Sequence, residues 1–326
     1  MSFEGIEARR AARAQERERR RRMRRRRITA IGALLVALVV VGAVALASSS
    51  NGGGSPQPKV AAHRSSAGRA HTHPVSHGST VTGTPTGRPG TASVPVLMYH
   101  VIAPPPAGAP YPGLYVDPDQ FAAQMEGLKA AGWHPVTLDQ LRAYWTRGVP
   151  LPPGKPIVLT FDNGYRSQYT NALPVLERLH WVADENIQLT GLPPSQGGLT
   201  EAQVRGLLAA GWELDTQGIS HADLITLSPS ELRYQVATAR QILRRRYGVP
   251  VNWFCYPSGH YDSTVIAAVR SAGYVGSTTV VPGWASRSDD PYRLPRLRVL
   301  GGTSPSQLLA QIAAAQSASP PPPSYS

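Results

Sequence analysis

The sequence predicts a parallel α/β fold, a (β/α) barrel of deformed type, and two observations carry that prediction. Apolar strand-like runs alternate with capped helical stretches through residues 94–316. Residues able to do chemistry recur just after those runs, at His100, Asp162 with Asn163, Asp215 with the loop to His221, and Pro257 with Ser258. In a parallel barrel that is where strand C-termini present reactive groups. Six or seven such units favour a barrel over an open sheet.

The elements follow in order. Val94–Tyr99 (VPVLMY) is a buried strand. Asp117 caps a helix with Pro118 at its first position, and Gly132 stops it. Thr137 with Gln140 forms a capping box for the next helix. Pro156–Phe161 is a strand, followed by a helix to about Leu179. Asn186–Thr190 is a weak strand. Thr200 with Gln203 opens a helix that stops at Gly211, and Trp212–Asp215 is a short strand. Ser228 to Glu231 opens a helix that stops at Gly248. Trp253–Tyr256 is a strand, Ser263–Ala272 a helix, Tyr274–Thr278 a strand and Ser304–Ala315 a final helix.

The 326 residues carry 33 Lys+Arg against 20 Asp+Glu, a net charge of +13. That charge is not spread evenly. Residues 1–27 form a basic arm with 12 Arg and 4 Glu, and residues 48–93 add Lys59, Arg64, Arg69 and Arg88 with no acid. Beyond residue 93 the chain is nearly neutral, so the charge does not point to a nucleic-acid surface. Between the two basic parts lies 28–47, ITAIGALLVALVVVGAVALA, 20 residues without a charge. At about 1.5 Å per residue this spans about 30 Å, the thickness of a bilayer core. The arginines before it keep that end in the cytoplasm. The sequence is therefore expected to be a single-pass cell-membrane protein with a transmembrane signal-anchor and an extracytoplasmic folded domain. Ala45-Leu46-Ala47 resembles a cleavage site and supports a competing reading as a cleaved signal, although the stretch is long for one. Residues 48–93, rich in Ser, Gly, Pro, Thr and His, read as a disordered linker. Residues 317–326 read as a Pro-rich, disordered tail. The lone Cys255 excludes an internal disulfide and a multi-cysteine metal site.

Four segments carry the chemistry: IVLTFDNGY at 157–165, WELDTQGISHADL at 212–224, FCYPSGHYD at 254–262 and YRLPRLRV at 292–299. In this order and spacing they resemble the NodB-homology polysaccharide deacetylases, carbohydrate esterase family 4. PVLMYH at 95–100 resembles a subgroup in which a usually late motif lies at the domain start. The resemblance spans about residues 94–300. It implies a metal-dependent N-deacetylase acting on an N-acetylated aminosugar polymer. In that scheme Asp162 is the general base, Arg296 orients it, and His100 is the general acid. Tyr256, Pro257 and Ser258 supply a groove wall and an oxyanion N–H. The metal positions are Asn163, Gln217 and His221.

Here the sequence departs from the pattern. The family carries Asp and His where this chain carries Asn163 and Gln217. A carboxamide oxygen is a poor ligand for zinc and its neighbours, which prefer imidazole, thiolate or carboxylate. Two functions therefore stand side by side. One is hydrolysis of N-acetyl groups with a divalent metal such as zinc. The other is a pseudoenzyme without metal that binds envelope glycan. Bland readings compete at each position: Asn163-Gly164 is a common turn pair, Gln217 a polar loop residue and His221 a hydrogen-bonded structural histidine. A scaffold acting through the Pro-rich tail is a third, weaker possibility.

Overall fold

The computed structural model describes residues 83–192 and 197–326. The expected membrane span, the basic arm and most of the linker lie outside the described residues. Among the described residues no helix is long and apolar enough to cross a membrane.

Among the described residues nine strands form one sheet. In chain order they are β1 (Val94–Tyr99), β2 (Trp133–Pro135), β3 (Lys155–Asn163), β4 (Asp184–Ile187), β5 (Glu213–Thr216), β6 (Trp253–Cys255), β7 (Gly276–Thr278), β8 (Trp284–Ala285) and β9 (Leu297–Arg298). The sheet runs β7-β6-β5-β4-β3-β1-β8, with β2 on β3 and β9 on β1. Every pairing is parallel except β1 with β8. The sheet curls, and the segment 294–298 links its two sides. Leu294 bridges to Thr278 on β7, the Arg296 N–H donates to the Val281 carbonyl at 2.9 Å, and Leu297 pairs with Leu97 on β1. The two-residue β8 and β9 carry no periodicity a sequence reading could detect.

The helices start where the capping residues predict. Asp117 accepts the Asp119 N–H ahead of α1 (Pro118–Ala130). Capping boxes at Thr137/Gln140, Thr200/Gln203, Ser228/Glu231 and Ser304/Gln307 open α2 (Leu138–Arg147), α4 (Glu201–Ala209), α5 (Pro229–Arg233) and α8 (Pro305–Ala315). Between them lie α3 (Leu173–Leu179), α6 (Ala239–Tyr247) and α7 (Ser263–Ser271). Two helices differ from expectation: a π turn at Gln168–Ala172 precedes α3, and another at Tyr234–Thr238 joins α5 to α6. Such insertions re-aim side chains without ending a helix, and they gather at functional positions.

Outward-facing apolar residues of the strands bury against the helices. Phe161 stacks between Tyr99 at 5.5 Å and Trp212 at 4.9 Å, with Phe121 edge-on. The strand expected at Asn186–Thr190 lies earlier, at Asp184–Ile187. The ladder decides this: Asp184 pairs in register with Thr160 on β3 and with Glu213 on β5.

Both ends of the folded part extend further than composition suggests. Within the expected linker, Gly90 donates its N–H to the Tyr144 carbonyl at 2.9 Å, and Trp145 donates its indole N–H to the Ala92 carbonyl at 2.9 Å. Gly90 is required there, since a Cβ would fall 1.9 Å from the Tyr144 ring. Beyond α8 the tail also packs. The backbones of Tyr325 and Tyr261 exchange two hydrogen bonds of 2.9 Å.

Candidate active site

The centre of the site is the C-terminal end of β3. Asp162 points into the barrel and is 1% exposed. Arg296, fully buried on the closing segment, grips it with both terminal nitrogens: Nη1 to Oδ1 at 2.7 Å and Nη2 to Oδ2 at 2.9 Å. Arg296 is itself fixed by donating Nε–H to the Thr279 carbonyl at 2.8 Å and Nη1–H to the Thr160 hydroxyl at 2.9 Å. Such a fork-to-carboxylate pair fixes both partners in orientation. Burial alone would raise the Asp162 carboxyl. The Arg296 charge and its hydrogen bonds outweigh burial and hold it down at about 2.

Three further side chains meet this pair. Asn186 on β4 donates Nδ2–H to Asp162 Oδ1 at 2.9 Å. The Cys255 thiol lies 3.4 Å from Asp162 Oδ2 and accepts from Arg296 Nη2 at 3.1 Å. Gln168, in the π turn before α3, donates to the carbonyls of both His100 and Asp162 at 2.8 Å. It ties the ends of β1 and β3 together. The sequence reading missed Asn186, Cys255 and Gln168 as site residues. The signal for Asn186 was the polar triplet Asp184-Glu185-Asn186 inside a core strand.

His100 follows β1 and places Nε2 4.0 Å from Asp162 Oδ2, while its Nδ1 is buried without a partner. Burial pushes the imidazole down to about 4, further than the Asp162 charge can raise it. His221 lies in the loop after β5 with φ of 52°, and burial lowers its imidazole as well. That loop is pinned from α5–α6: Gln235 Oε1 accepts the N–H groups of Ile219 and Ser220.

The group implied for this site is a divalent metal held by Asn163, Gln217 and His221. Asn163 ends β3 with φ of 81°, a conformation Asn tolerates. Gly164 follows with φ of 86°, and a Cβ there would sit 2.7 Å from Ile187. The Asn163 amide donates Nδ2–H to Gln188 Oε1 at 2.7 Å, and Gln188 donates onward to the Thr190 carbonyl at 2.8 Å. The Gln217 backbone N–H donates to the Ile187 carbonyl, and its Oε1 is buried without a partner. This set offers one imidazole and two neutral amides, the Asn163 amide being tied to Gln188 through its nitrogen. It does not fit zinc or a similar first-row ion. Among the described residues the one group of three metal-type donors is elsewhere. It comprises the carboxylates of Asp184, Glu213 and Asp215, on β4 and β5.

The proposed groove wall divides into buried and exposed parts. The Tyr256 ring is 1% exposed, stacks on Tyr261 at 4.9 Å and donates its hydroxyl to the Tyr292 carbonyl at 2.9 Å. Pro257 is also buried. Ser258, with φ of 56°, is exposed. Near it His260 Nδ1 meets Asp223 Oδ1 at 3.1 Å.

Residues 151–277 match the family model described as polysaccharide deacetylase. YxkH of Bacillus subtilis (strain 168), named as a polysaccharide deacetylase, is 30% identical over 222 residues, which cover 68% of this chain and 76% of that protein. A poly-β-1,6-N-acetyl-D-glucosamine N-deacetylase of Escherichia coli (strain K12) matches locally, 43% identical over 60 residues, 18% of this chain and 9% of that one. Among solved structures, the Streptococcus pyogenes deacetylase PplD in complex with acetate superposes with a TM-score of 0.62 at 27% identity, covering 68% of this chain and 99% of that one.

Proposed function

Because the chain belongs to the polysaccharide deacetylase family, we propose that its barrel binds N-acetylated aminosugar polymer in the deacetylase groove without metal-dependent hydrolysis. One observation carries this reading. Asn163 stands at a metal position as a neutral amide and donates its N–H to Gln188, with a second neutral amide, Gln217, at another such position. Fold alone does not assign the chemistry, and the site's donors have to. Arg296 keeps Asp162 in a fixed orientation, and the exposed Ser258 can meet a sugar in a binding module as well as in an enzyme.

The retained pair of Asp162 with His100 supports a second reading, a hydrolase. In it Asp162 takes a proton from water and His100 gives one to the leaving amine.

The further proposal concerns placement. A 20-residue uncharged stretch at 28–47 behind a run of arginines supports a single-pass anchor in the cell membrane, with the N-terminus cytoplasmic and the barrel outside. No nucleic-acid role is needed to explain the arginines.

The test uses the full chain purified in detergent. Bound metal is measured by mass spectrometry, oligomer binding by calorimetry, and acetate release from N-acetylglucosamine oligomers with added Zn²⁺ or Co²⁺. We expect binding, no acetate release and metal far below stoichiometry. The double substitution Asn163→Asp with Gln217→His is expected to raise zinc affinity by at least about tenfold per restored ligand, by analogy with the losses caused by weaker perturbations of metal sites. Stoichiometric metal in the unmodified chain, with acetate release abolished by Asp162→Ala, would sink the binding reading.

A further inference from the structure

The Pro-rich tail is held in place, and what it holds is an exposed aromatic ring. Pro321 is buried and its carbonyl accepts Arg293 Nη1–H at 3.2 Å. The Pro322 carbonyl accepts the Tyr261 hydroxyl at 2.7 Å. Tyr325 exchanges two backbone hydrogen bonds with Tyr261, each of 2.9 Å. Four hydrogen bonds thus fix a segment that adds little to the core. Tyr325 is 40% exposed, among the few large apolar side chains left open on the described surface.

Its position gives the exposure a meaning. The Tyr325 ring lies 6.4 Å, centroid to centroid, from the His260 ring. His260 pairs with Asp223 at 3.1 Å, and Asp223 lies two residues past His221 in the loop after β5. His260 in turn lies two residues past Ser258, so the pair joins the loops that follow β5 and β6. Tyr325 stands beside that pair, partly open to solvent. Asp223 is 42% exposed on its side chain and uses one oxygen on His260, leaving the other for an incoming donor. A partly exposed ring face beside a carboxylate and an imidazole matches what a pyranose needs. Its C–H face packs on an aromatic ring, and its hydroxyls donate to and accept from the polar pair.

We propose that Tyr325, His260 and Asp223 form an outer sugar-binding subsite, which takes a pyranose unit of an aminosugar polymer beyond the unit at Asp162. This rests on the glycan-binding reading above. The rigid tail serves the subsite by holding Tyr325 in its bound position before the polymer arrives, which lowers the ordering cost of binding.

The full chain and its Tyr325→Ala and Tyr325→Phe variants are titrated calorimetrically with the dimer and the hexamer of N-acetylglucosamine. The hexamer extends four units further than the dimer and is the probe for contacts beyond the central unit. Tyr325→Ala is expected to weaken hexamer binding by about tenfold, as loss of an aromatic anchor does, and to change dimer binding by less than about twofold. Tyr325→Phe, which keeps the ring face, is expected to stay near the unmodified value. Equal loss for both oligomers, no loss for either, or tighter binding without the ring would each overturn the subsite while leaving glycan binding in place. An unmodified chain that binds neither oligomer would overturn the glycan-binding reading and the subsite with it.

Discussion

Two sets of buried carboxylates occupy one barrel, and they have met the same problem in opposite ways. At the C-terminal end of β3, Asp162 is gripped by Arg296 and Asn186 and sits at about 2. On β4 and β5, Asp184, Glu213 and Asp215 gather without a cation among them. One oxygen of each accepts backbone N–H: Asp184 from Leu138 at 2.9 Å, Glu213 from Asp139 at 3.0 Å, Asp215 from Trp253 at 2.8 Å. The second oxygen of each is buried without a partner. Burial raises all three carboxyls well above the ordinary range, and their neighbours' negative charge raises them further. A buried carboxylate needs either a matched cation or a proton. The first group keeps its charge where a reaction or ligand can use it. The second is pushed toward the protonated form and serves the architecture, anchoring the N-terminus of α2 and the start of β6.

The largest test of this contrast is Arg296→Met. It leaves the Asp162 charge buried and uncompensated, and we expect a loss of about 3–5 kcal/mol in denaturant unfolding. Adding Asp162→Asn should restore a substantial part of that loss, because the stranded charge goes with it. If the double variant is no more stable than the single one, Arg296 acts by packing and the contrast breaks at this end.

The next largest effect is a pH dependence of opposite sign in the two sets. Asp184, Glu213 and Asp215 have folded values above their unfolded ones, so each contributes stability in full below about pH 4 and loses it as pH rises toward the folded value. Each proton held only by the folded state gives a slope of about −1.4 kcal/mol per pH unit in that window. Glu185, also buried and raised, adds to the same slope, while Asp139 faces the cluster with its charge bound to Asn252 and Trp253. Asp162 works the other way. Its contribution is present above about pH 4 and is lost as pH falls toward 2. Below about pH 6.5 the lowered imidazoles of His100 and His221 add a rise that opposes this slope. We therefore expect unfolding free energy to fall from about pH 7 to pH 8, where they no longer contribute. Asp184→Asn should flatten that fall and stabilise the protein at pH 8 by about 1–2 kcal/mol. A profile that rises between about pH 7 and 8, unchanged by Asp184→Asn, would mean that the cluster is ionised and compensated.

How much of this could be read from the sequence follows from how local each feature is. Helix starts rest on residues three apart, and the capping boxes at Thr137, Thr200, Ser228 and Ser304 lie where the sequence indicates. The strand at 94–99 and the end of β3 at Asp162 and Asn163 are equally local. The pairing of Asp162 with Arg296 spans 134 residues and came into view only through the family resemblance. Asn186 was read as the start of a weak strand and not as a site residue, because Asp184-Glu185 before it have the composition of a loop and only pairing with both β3 and β5 makes the triplet a core strand. The tail was misjudged for a related reason. Proline content describes a segment alone, whereas residues 321–325 are held by Tyr261 and Arg293, which lie far away in sequence.

The smallest effect we predict separates the thiol from the ion pair it touches. Cys255 is fully buried, and burial raises its thiol well above the ordinary range, so it stays protonated. It can then offer Asp162 Oδ2 a weak donor at 3.4 Å while accepting from Arg296 at 3.1 Å. Cys255→Ala removes the donor and leaves a small void, for which we expect a cost of about 1 kcal/mol. Cys255→Ser keeps the donor and shortens the reach, so its cost should be the lesser of the two. If serine is as costly as alanine, the sulfur acts through its volume, and the Asp162 charge is held by Arg296 and Asn186 without it.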